Sequence, residues 1–230
     1  MFSKEDTQSR VTTSDNWDKE RRSMVETQIA GRGIKDKAIL RGMLSVPRHL
    51  FVPEHLQSDA YDDSPLPIEN GQTISQPYIV ALMAEALQLG PTDRVLEIGT
   101  GSGYAAAVLS RIVSQVCTIE RHDIMAAKAR EQFDRLNYNN IEVLVGDGTE
   151  GWPGKPLFDG IQVTAGSPGI PLSLCEQLKP EGNLVIPIGD RTFQEMMRIR
   201  RTSDGFYVRE KLGVVRFVPL VGAEGWEIED

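Results

Sequence analysis

The segment from Val95 to Tyr104 reads VLEIGTGSGY and constrains the fold more than any other part of the 230-residue chain. An apolar strand runs into an acid, then into glycines at 99, 101 and 103, and then into a helix of small apolar residues. Glycine allows a sharp turn and lets backbone N–H groups approach a ligand closely. The pattern therefore predicts a nucleotide-binding turn between a β-strand and an α-helix.

The order of residues in this turn distinguishes two classes of cofactor. The dinucleotide fingerprint G-x-G-x-x-G places its third glycine one residue later, and Tyr104 occupies that position here. Glu97 precedes the first glycine by two residues, where its charge would repel a pyrophosphate and attract a cation. The order E-x-G-x-G-x-G therefore favours S-adenosyl-L-methionine, which carries a sulfonium and an ammonium group and no phosphate.

Alternating strand-like and helix-like segments follow Pro77. Alternating βαβ units imply a parallel sheet with helices on both faces, and a final pair of strands with no helix between them implies an antiparallel hairpin. The predicted fold class is α/β, doubly wound. Strands are predicted at 94–98, 116–119, 141–145, 158–164, 184–188, 195–201 and 206–215, with helices near 79–87, 105–109, 123–136 and 171–178.

The part of the chain before the sheet is predicted to be helical and then irregular. One helix is predicted from Trp17 to Ile29, ended by glycines, and a second through 39–44, ended before Pro47. Residues 47–76 are rich in Pro, Asp and Gly, and so long a loop is usually functional or disordered. Its aromatic and aliphatic residues argue against disorder, whereas residues 1 to about 14 are polar and expected to fray.

Composition restricts the partners and the compartment. The net charge of −8 argues against a general nucleic-acid or anionic-membrane binder. No apolar run reaches the roughly 18 residues of a membrane span, and the N-terminus has no secretory apolar region. Cys117 and Cys175 form neither a disulfide framework nor a metal cluster, so both are expected to be buried thiols. We expect a cytoplasmic monomer without nucleic-acid, membrane or metal partners.

Three acids follow three successive predicted strands, at the edge of the sheet where doubly wound folds bind ligands. Glu97 follows the first strand. Glu120 follows the second, about twenty residues after the glycines, where a ribose diol would lie. Asp147 follows the third and is flanked by glycines that admit a flat base. Any one of them could be a solvated loop carboxylate, but three in register with one glycine turn favour a binding site.

The segment from Gly71 to Pro77 reads GQTISQP and allows two interpretations. Ser and Thr cap helices well and Pro suits a first turn, so the segment could be a helix cap. Its two hydroxyls and two amides, beside a cofactor site, could equally hold a substrate carboxylate.

Several motifs together point to one family. They are VPRHLFVP (46–53), AYDDSPLPI (60–68), GQTISQPYIVA (71–81), VLEIGTGSGY (95–104), GDG (146–148), VTAG (163–166), QLKPEGNLVIPIG (177–189) and RFVPLV (216–221). From about Met24 to Leu220 the chain resembles the protein-L-isoaspartate O-methyltransferase family. Glu69 and Asn70 stand where a glycine-containing pair is expected, and Glu181 replaces a usual glycine.

The resemblance implies a seven-stranded, Rossmann-like methyltransferase sheet with an N-terminal helical extension. It implies methyl transfer from S-adenosyl-L-methionine to the free α-carboxylate of L-isoaspartyl residues in damaged proteins and peptides, leaving S-adenosyl-L-homocysteine. The methyl ester then closes to a succinimide, which returns partly to L-aspartate. The implied parts are an extension and substrate loop (1–76), a methyltransferase core with a substrate lid near Pro219–Val221 (77–221) and a tail (222–230), within one integrated domain.

The resemblance also implies roles for individual residues. Ser75 is the implied catalytic residue, and Thr73, Ser75 and Val221 are implied in substrate binding. No metal ligands are implied. The implied cofactor-binding residues are Thr73, Ile74, Ser75, Gln76, Glu97, Gly99, Thr100, Gly101, Gly103, Tyr104, Glu120, Arg121, Asp147 and Gly148.

Three other functions predict sequence features that differ from those of this chain. A small-molecule or RNA methyltransferase would need a basic substrate face or another catalytic motif after the fourth strand, where Val163-Thr164-Ala165-Gly166 stands instead of an Asn-Pro-Pro-Tyr-type motif. A non-catalytic adaptor predicts a damaged GQTISQP segment or glycine loop, and both are intact. A dehydrogenase would need the third-glycine spacing and tolerance of Glu97.

Overall fold

The computed structural model describes residues 11–154 and 156–227. The N-terminal part is helical, with α1 (Val11–Ser23) continuing into a π-helical turn (Met24–Ile29), followed by α2 (Lys37–Ser45). The Asp36 side chain accepts hydrogen bonds from the N–H groups of Ala38 and Ile39 and so caps α2. Residues 11–14 are helical where fraying was expected, because a helix extends cheaply once it is nucleated. Residues 1–10 and the end of the predicted tail, 228–230, lie outside the described residues.

The long loop before the sheet has little regular structure, as predicted. It contains short 3₁₀ turns and a small antiparallel ribbon of β1 (Leu66–Pro67) and β2 (Thr73–Ile74). Phe51 and Tyr61 in this loop are buried in the main apolar core. The loop is therefore anchored against the rest of the protein.

A seven-stranded sheet forms the centre of the molecule and confirms the predicted fold class. The strands up to β7 are parallel, and β7, β8 and β9 form an antiparallel meander. The spatial order is β5-β4-β3-β6-β7-β8-β9. The strands are β3 (Arg94–Ile98), β4 (Gln115–Glu120), β5 (Ile141–Val145), β6 (Phe158–Val163), β7 (Leu178–Gly189), β8 (Gln194–Arg201) and β9 (Tyr207–Val215).

Helices cover both faces of the sheet. Alternate residues of β3 belong to different apolar cores, Val95 to one and Leu96 to the other. The Val95 core includes buried residues of α2 and of α3 (Pro77–Leu87), α4 (Tyr104–Leu109) and α5 (Asp123–Arg135). The Leu96 core includes α6 (Leu172–Glu176), which is shorter than predicted. No helix in the described part of the chain is long and apolar enough to span a membrane.

The strand order reverses between β3 and β6. From β3 the chain builds outward through β4 to β5, and it then returns to pair β6 against the other side of β3. The connections leaving the carboxyl ends of β3 and β6 therefore diverge and open a crevice between them. This crevice is the expected location of a ligand site.

An irregular start of β7 explains one departure from the family pattern. The pairing passes from Phe158–Leu178 to Gly160–Asn183, so the intervening residues of β7 bulge outward. Glu181 lies in this bulge with a φ of 67°. This is the left-handed region that suits glycine and costs other residues about 1–2 kcal/mol. The glycine expected here from the family resemblance therefore has a backbone reason.

We expect Glu181→Gly to raise the free energy of unfolding by about 0.5–1 kcal/mol. The relief of left-handed strain, about 1–2 kcal/mol, exceeds the larger unfolded-state entropy of glycine. It also exceeds the loss of the exposed ion pair with Arg200, whose Nη2 lies 3.0 Å from Glu181 Oε2. Urea denaturation measures the change. Glu181→Ala removes the ion pair and keeps the strain, so an equal gain in both variants would contradict the backbone explanation.

Candidate active site

A crevice of about 180 Å³ lies at the carboxyl ends of the central strands. Its walls come from the loops after β3, β4, β5 and β6, from the ribbon segment 72–75 and from the C-terminal segment 217–221. Most residues predicted to bind the cofactor or substrate line this crevice. They are Thr73, Ile74, Ser75, Gly99, Thr100, Gly101, Tyr104, Glu120, Arg121, Gly148 and Val221.

The glycine loop after β3 uses its three glycines for different purposes. All three have positive φ, at 94° for Gly99, 54° for Gly101 and 86° for Gly103. A Cβ on Gly99 would lie 2.4 Å from Thr164 Oγ1, and one on Gly103 would lie 2.6 Å from Phe133 Cζ. Gly101 lines the crevice, whereas Gly103 is buried against α5. Gly103 therefore lets the loop pack against α5. It does not line the crevice, in contrast to the prediction that it binds the cofactor.

Glu120 ties the glycine loop to the end of β4. Its Oε2 accepts a hydrogen bond from Gly101 N at 2.9 Å, and its Oε1 accepts one from His122 N at 3.0 Å. Among the described residues that line the crevice, Glu120 is the one carboxylate. A carboxylate offers about four acceptor sites, so two remain for a ligand such as a ribose diol.

The prediction that the Glu97 carboxylate faces the ligand is wrong. Glu97 is fully buried within the sheet. Its Oε2 accepts a hydrogen bond from Thr118 Oγ1 at 2.8 Å and its Oε1 accepts one from Gln162 Nε2 at 2.9 Å, from the two strands beside β3. Alternation along β3 turns this side chain into the protein, and removal from water raises the pKa of Glu97 to about 7.

Glu97 still acts on the glycine loop through a chain of hydroxyls. Thr118 Oγ1 lies 2.7 Å from Thr100 Oγ1, and Thr100 lines the crevice. Glu97 thus contacts the glycine loop only indirectly, through Thr118 and Thr100, and its carboxylate does not line the crevice. Glu120, the second acid predicted at a strand end, does line the crevice.

Asp147 and Gly148, predicted to bind the cofactor together, differ in their position: Gly148 lines the crevice and Asp147 does not. Gly148 lines the crevice, and a Cβ there would lie 2.3 Å from Ile98 Cγ2. The Asp147 carboxylate accepts hydrogen bonds from Thr149 and from the N–H of Ala223, beyond the residues that line the crevice. Asp147 is therefore adjacent to the crevice and in contact with the C-terminal segment.

The GQTISQP segment combines both interpretations offered by its sequence. Pro77 is the first residue of α3, as a cap would require. Gln76 contributes to this structural role, because its Nε2 donates to Asp63 O at 2.9 Å and to Asp63 Oδ2 at 2.7 Å. It faces away from the crevice, in contrast to the prediction.

Thr73 and Ser75 present uncommitted hydroxyls to the crevice. Both residues line it. Across residues 16–154 and 156–227, for which side chains are described, neither hydroxyl takes part in a hydrogen bond. These groups can therefore donate to an anion without first breaking a contact in the protein.

The segment 217–221 closes the opposite side of the crevice. Gly166, in the loop after β6, donates to Val218 O at 2.8 Å and accepts from Leu220 N at 2.8 Å. Val221 lines the crevice at the end of this segment. The predicted lid is thus fixed to the VTAG motif by backbone hydrogen bonds.

Sequence reasoning missed several residues of the site. Thr164 and Ala165 line the crevice, as do Phe217 and Leu220. Beyond marking the family, VTAG serves only as an argument against an Asn-Pro-Pro-Tyr-type motif, and RFVPLV predicts a lid only near Pro219–Val221. The apolar or small side chains of these four residues give no chemical signal of their own. Their position after β6 at the point of strand reversal is the signal that could have identified VTAG.

A buried arginine supports the tyrosine of the glycine loop. Arg48 is fully buried, its Nε donates to Ala60 O at 2.7 Å, and its guanidinium lies 4.8 Å from the centroid of the Tyr104 ring. Burial lowers the pKa of Arg48 to about 10. His49, the next residue, stacks on Trp17 with 4.8 Å between ring centroids and does not line the crevice.

Comparison with known proteins places this site in a family. A family model described as protein-L-isoaspartate(D-aspartate) O-methyltransferase matches residues 19–225. The chain belongs to this family.

Individual relatives agree over nearly the whole chain. A protein-L-isoaspartate O-methyltransferase of Pelotomaculum thermopropionicum is 61% identical over 215 residues, covering 94% of each chain. One of Methanoregula boonei is 54% identical over 208 residues, covering 90% of this chain and 95% of the relative.

Solved structures of the same family share the fold. A protein-L-isoaspartate O-methyltransferase is 30% identical with a TM-score of 0.79, covering 89% of this chain and 67% of that chain. A Plasmodium falciparum β-aspartate methyltransferase structure, in complex with S-adenosyl-L-homocysteine, is 26% identical with a TM-score of 0.74, covering 87% of this chain and 98% of that one. The seven-stranded sheet is therefore the methyltransferase fold that the sequence predicts.

We expect Glu97→Gln to make stability less sensitive to pH. A carboxyl with a raised folded-state pKa favours folding below its unfolded pKa and loses that contribution as the pH rises. Between the ordinary value of 4.5 and about 7, wild type should lose stability relative to Glu97→Gln. The change is on the order of 3 kcal/mol at most, from about 1.4 kcal/mol per pKa unit.

Denaturation with urea at about pH 5 and at about pH 8 measures this difference. Glu142→Gln, at an exposed position of β5, is the matched control and should shift equally at both pH values. A difference between wild type and Glu97→Gln that stays constant over this range would contradict a buried acid that titrates near neutrality.

Proposed function

We propose that the chain acts through this crevice as an S-adenosyl-L-methionine-dependent protein-L-isoaspartate O-methyltransferase. It methylates the free α-carboxylate of L-isoaspartyl residues in damaged proteins and peptides. The single observation that carries the assignment of the reaction centre is the pair of uncommitted hydroxyls, Thr73 and Ser75, on the wall of a crevice with one carboxylate.

The residues of the crevice fit the cofactor. Glu120 keeps two acceptor sites for the ribose hydroxyls, and Gly101 offers bare backbone beside it. Gly148 and the adjacent Asp147 are proposed to hold the adenine, and Gly99 with Thr100 the methionyl end. Two charged side chains line the crevice among the described residues, the buried Glu120 and the solvent-exposed Arg121. The charge of the buried Glu120 is the less screened of the two, and we propose that it favours a cationic ligand over a phosphorylated one. The cofactor supplies an electrophilic methyl group bonded to a sulfonium.

The proposed reaction needs no general base. An α-carboxyl has a pKa of about 3.3–3.7, so the isoaspartyl carboxylate is already an anion at neutral pH. Ser75, with Thr73 beside it, is proposed to donate hydrogen bonds that hold one carboxylate oxygen in line with the methyl carbon and the sulfur. Such orientation alone can contribute about 7–11 kcal/mol to the barrier reduction. The amide nitrogen bonded to the isoaspartyl side-chain carbonyl then attacks the carbonyl of the methyl ester and expels methanol, which closes the succinimide without further help from these residues.

We also propose that the chain works as a cytoplasmic monomer without a nucleic-acid partner. Both cysteines are free and buried, which suits a reducing compartment. The net charge of −8 opposes binding to a polyanion.

Transfer of a tritiated methyl group to a matched peptide pair tests the function. We expect labelling of the isoaspartyl peptide and at least about 100-fold less of the aspartyl peptide, because the latter lacks the free α-carboxylate beside the extended chain. The labelling activity should elute in gel filtration with the mass of one chain. Equal labelling of the two peptides, or labelling of RNA alone, would overturn the assignment.

We expect Ser75→Ala to lower kcat on the isoaspartyl peptide by about 10- to 100-fold. Without the Ser75 hydroxyl, the proposed in-line orientation of the carboxylate oxygen is partly lost, and an orientation effect of about 7–11 kcal/mol accommodates a loss of this size. The dissociation constant for S-adenosyl-L-homocysteine should change by less than about threefold. Steady-state kinetics and calorimetry measure the two quantities.

Ser58→Ala, a serine at an exposed position of the loop, is the matched control and should leave both quantities as in wild type. Full turnover by Ser75→Ala would show that this hydroxyl does not hold the substrate. A loss of cofactor affinity equal to the loss of turnover would assign Ser75 to the cofactor alone.

A further inference from the structure

Residues beyond the crevice-lining segment fold back onto the site. Trp226 N donates to Leu220 O at 2.7 Å and Gly222 N donates to Trp226 O at 3.2 Å, so the chain closes a tight loop. The indole Nε1 of Trp226 donates to Gly166 O at 3.0 Å, in the loop after β6. We call residues 222–226 the clasp.

The clasp holds the carboxylate of Asp147. Asp147 Oδ2 accepts a hydrogen bond from Ala223 N at 2.7 Å. Its Oδ1 accepts from Thr149 N at 2.9 Å and from Thr149 Oγ1 at 2.7 Å. Three of about four acceptor sites are thereby used, and one remains. The clasp and Thr149 together fix how that last site is directed.

A second link reaches the same carboxylate through Thr149. Glu224 N donates to Thr149 Oγ1 at 3.1 Å, and that hydroxyl donates in turn to Asp147. Hydrogen bonds arranged in such a chain strengthen one another. The Glu224 carboxylate also accepts from the hydroxyl and the N–H of Ser173, at the start of α6. The clasp is therefore held from a side of the molecule that does not contact the crevice.

Gly222 is required by this approach. A Cβ at residue 222 would lie 2.1 Å from Asp147 Oδ1 and 2.6 Å from its Cγ, closer than atoms can pack. Its φ is not in the left-handed region, so the reason for glycine is the space taken by Asp147 and not the backbone conformation. The backbone of the clasp passes directly against the acid.

We propose that the clasp is a positioning element for the cofactor, which acts through Asp147 and links the C-terminal segment to the affinity for the adenine base. The inference rests on the proposed function, in which Asp147 lies at the adenine. An oriented carboxylate acceptor favours a base with an exocyclic amino group over one with a carbonyl at the same position. The clasp therefore contributes to the choice of base as well as to affinity.

Calorimetry with S-adenosyl-L-homocysteine and with its inosine analogue tests the clasp. We expect Gly222→Ala to raise the dissociation constant for S-adenosyl-L-homocysteine at least tenfold and to raise that for the analogue by less than threefold. Gly169→Ala is the matched control, since a Cβ there meets no atom within 4 Å and its φ is not positive, and both constants should stay within twofold of wild type.

A second pair of variants tests the clasp without adding a side chain at residue 222. Glu224→Ala should shift preference between the two ligands in the same direction as Gly222→Ala, and Glu224→Gln, which retains an acceptor for Ser173, should restore most of it. The proposed role of the clasp would be overturned if folded Gly222→Ala kept the wild-type ratio of the two dissociation constants. It would also be overturned if every variant lost affinity for both ligands equally. Failure of the wild-type chain to bind S-adenosyl-L-homocysteine would contradict the proposed function instead.

Discussion

The loop between β3 and α4 can pass between Thr164 and Phe133 only because it carries no side chain at residues 99 and 103. A Cβ on Gly99 or Gly103 would lie within 2.6 Å of these neighbours, and all three glycines have positive φ. The close passage brings Gly101 N to the Glu120 carboxylate and leaves Thr100 beside Thr118. The crevice, its one acid and the start of α4 all depend on this course of the backbone.

Electrostatics at the strand ends differ from the simplest inference. The acid nearest the glycines in sequence, Glu97, belongs to a row of polar side chains that crosses the sheet inside the protein, from Thr118 to Gln162. A charge buried in this way is costly, and the pKa of Glu97 rises accordingly. Under the proposed function, selection of a cationic ligand falls to Glu120, which lines the crevice. The predicted cofactor, S-adenosyl-L-methionine, is unchanged, although Glu97 does not line the crevice.

The sequence predicted the strands closely because their signals are local. The ranges 94–98 and 141–145 match β3 and β5 residue for residue, and the departure of Glu181 from the family pattern coincides with a positive φ. The direction of a side chain at a strand end depends on partners far away in the chain. Gln76 turns to Asp63, Gly103 packs on Phe133 and Asp147 faces Ala223.

Motifs whose crevice-lining residues have no reactive or charged side chains carry the weakest functional signal in the sequence. VTAG and RFVPLV form a wall of the crevice through backbone hydrogen bonds between Gly166 and its neighbours at 218 and 220. Backbone groups are the same in every residue, so their pairing cannot be read from side-chain types. The sequence also contains no sign that Arg48 is buried without an ion pair to any described carboxylate, because an arginine in a loop is ordinarily solvated.

The choice of neutral donors at the proposed reaction centre follows from the charge change during methyl transfer. The carboxylate loses its negative charge as the ester forms, so a cation placed against it would stabilise the starting state more than the transition state. In the proposed function, the hydroxyls of Thr73 and Ser75 hold the anion instead. Of the nearby cations, Arg121 lines the crevice but is exposed to solvent, and Arg48 is buried against the Tyr104 ring and does not line the crevice. The site can thus fix the geometry of a carboxylate without holding its charge too tightly to react.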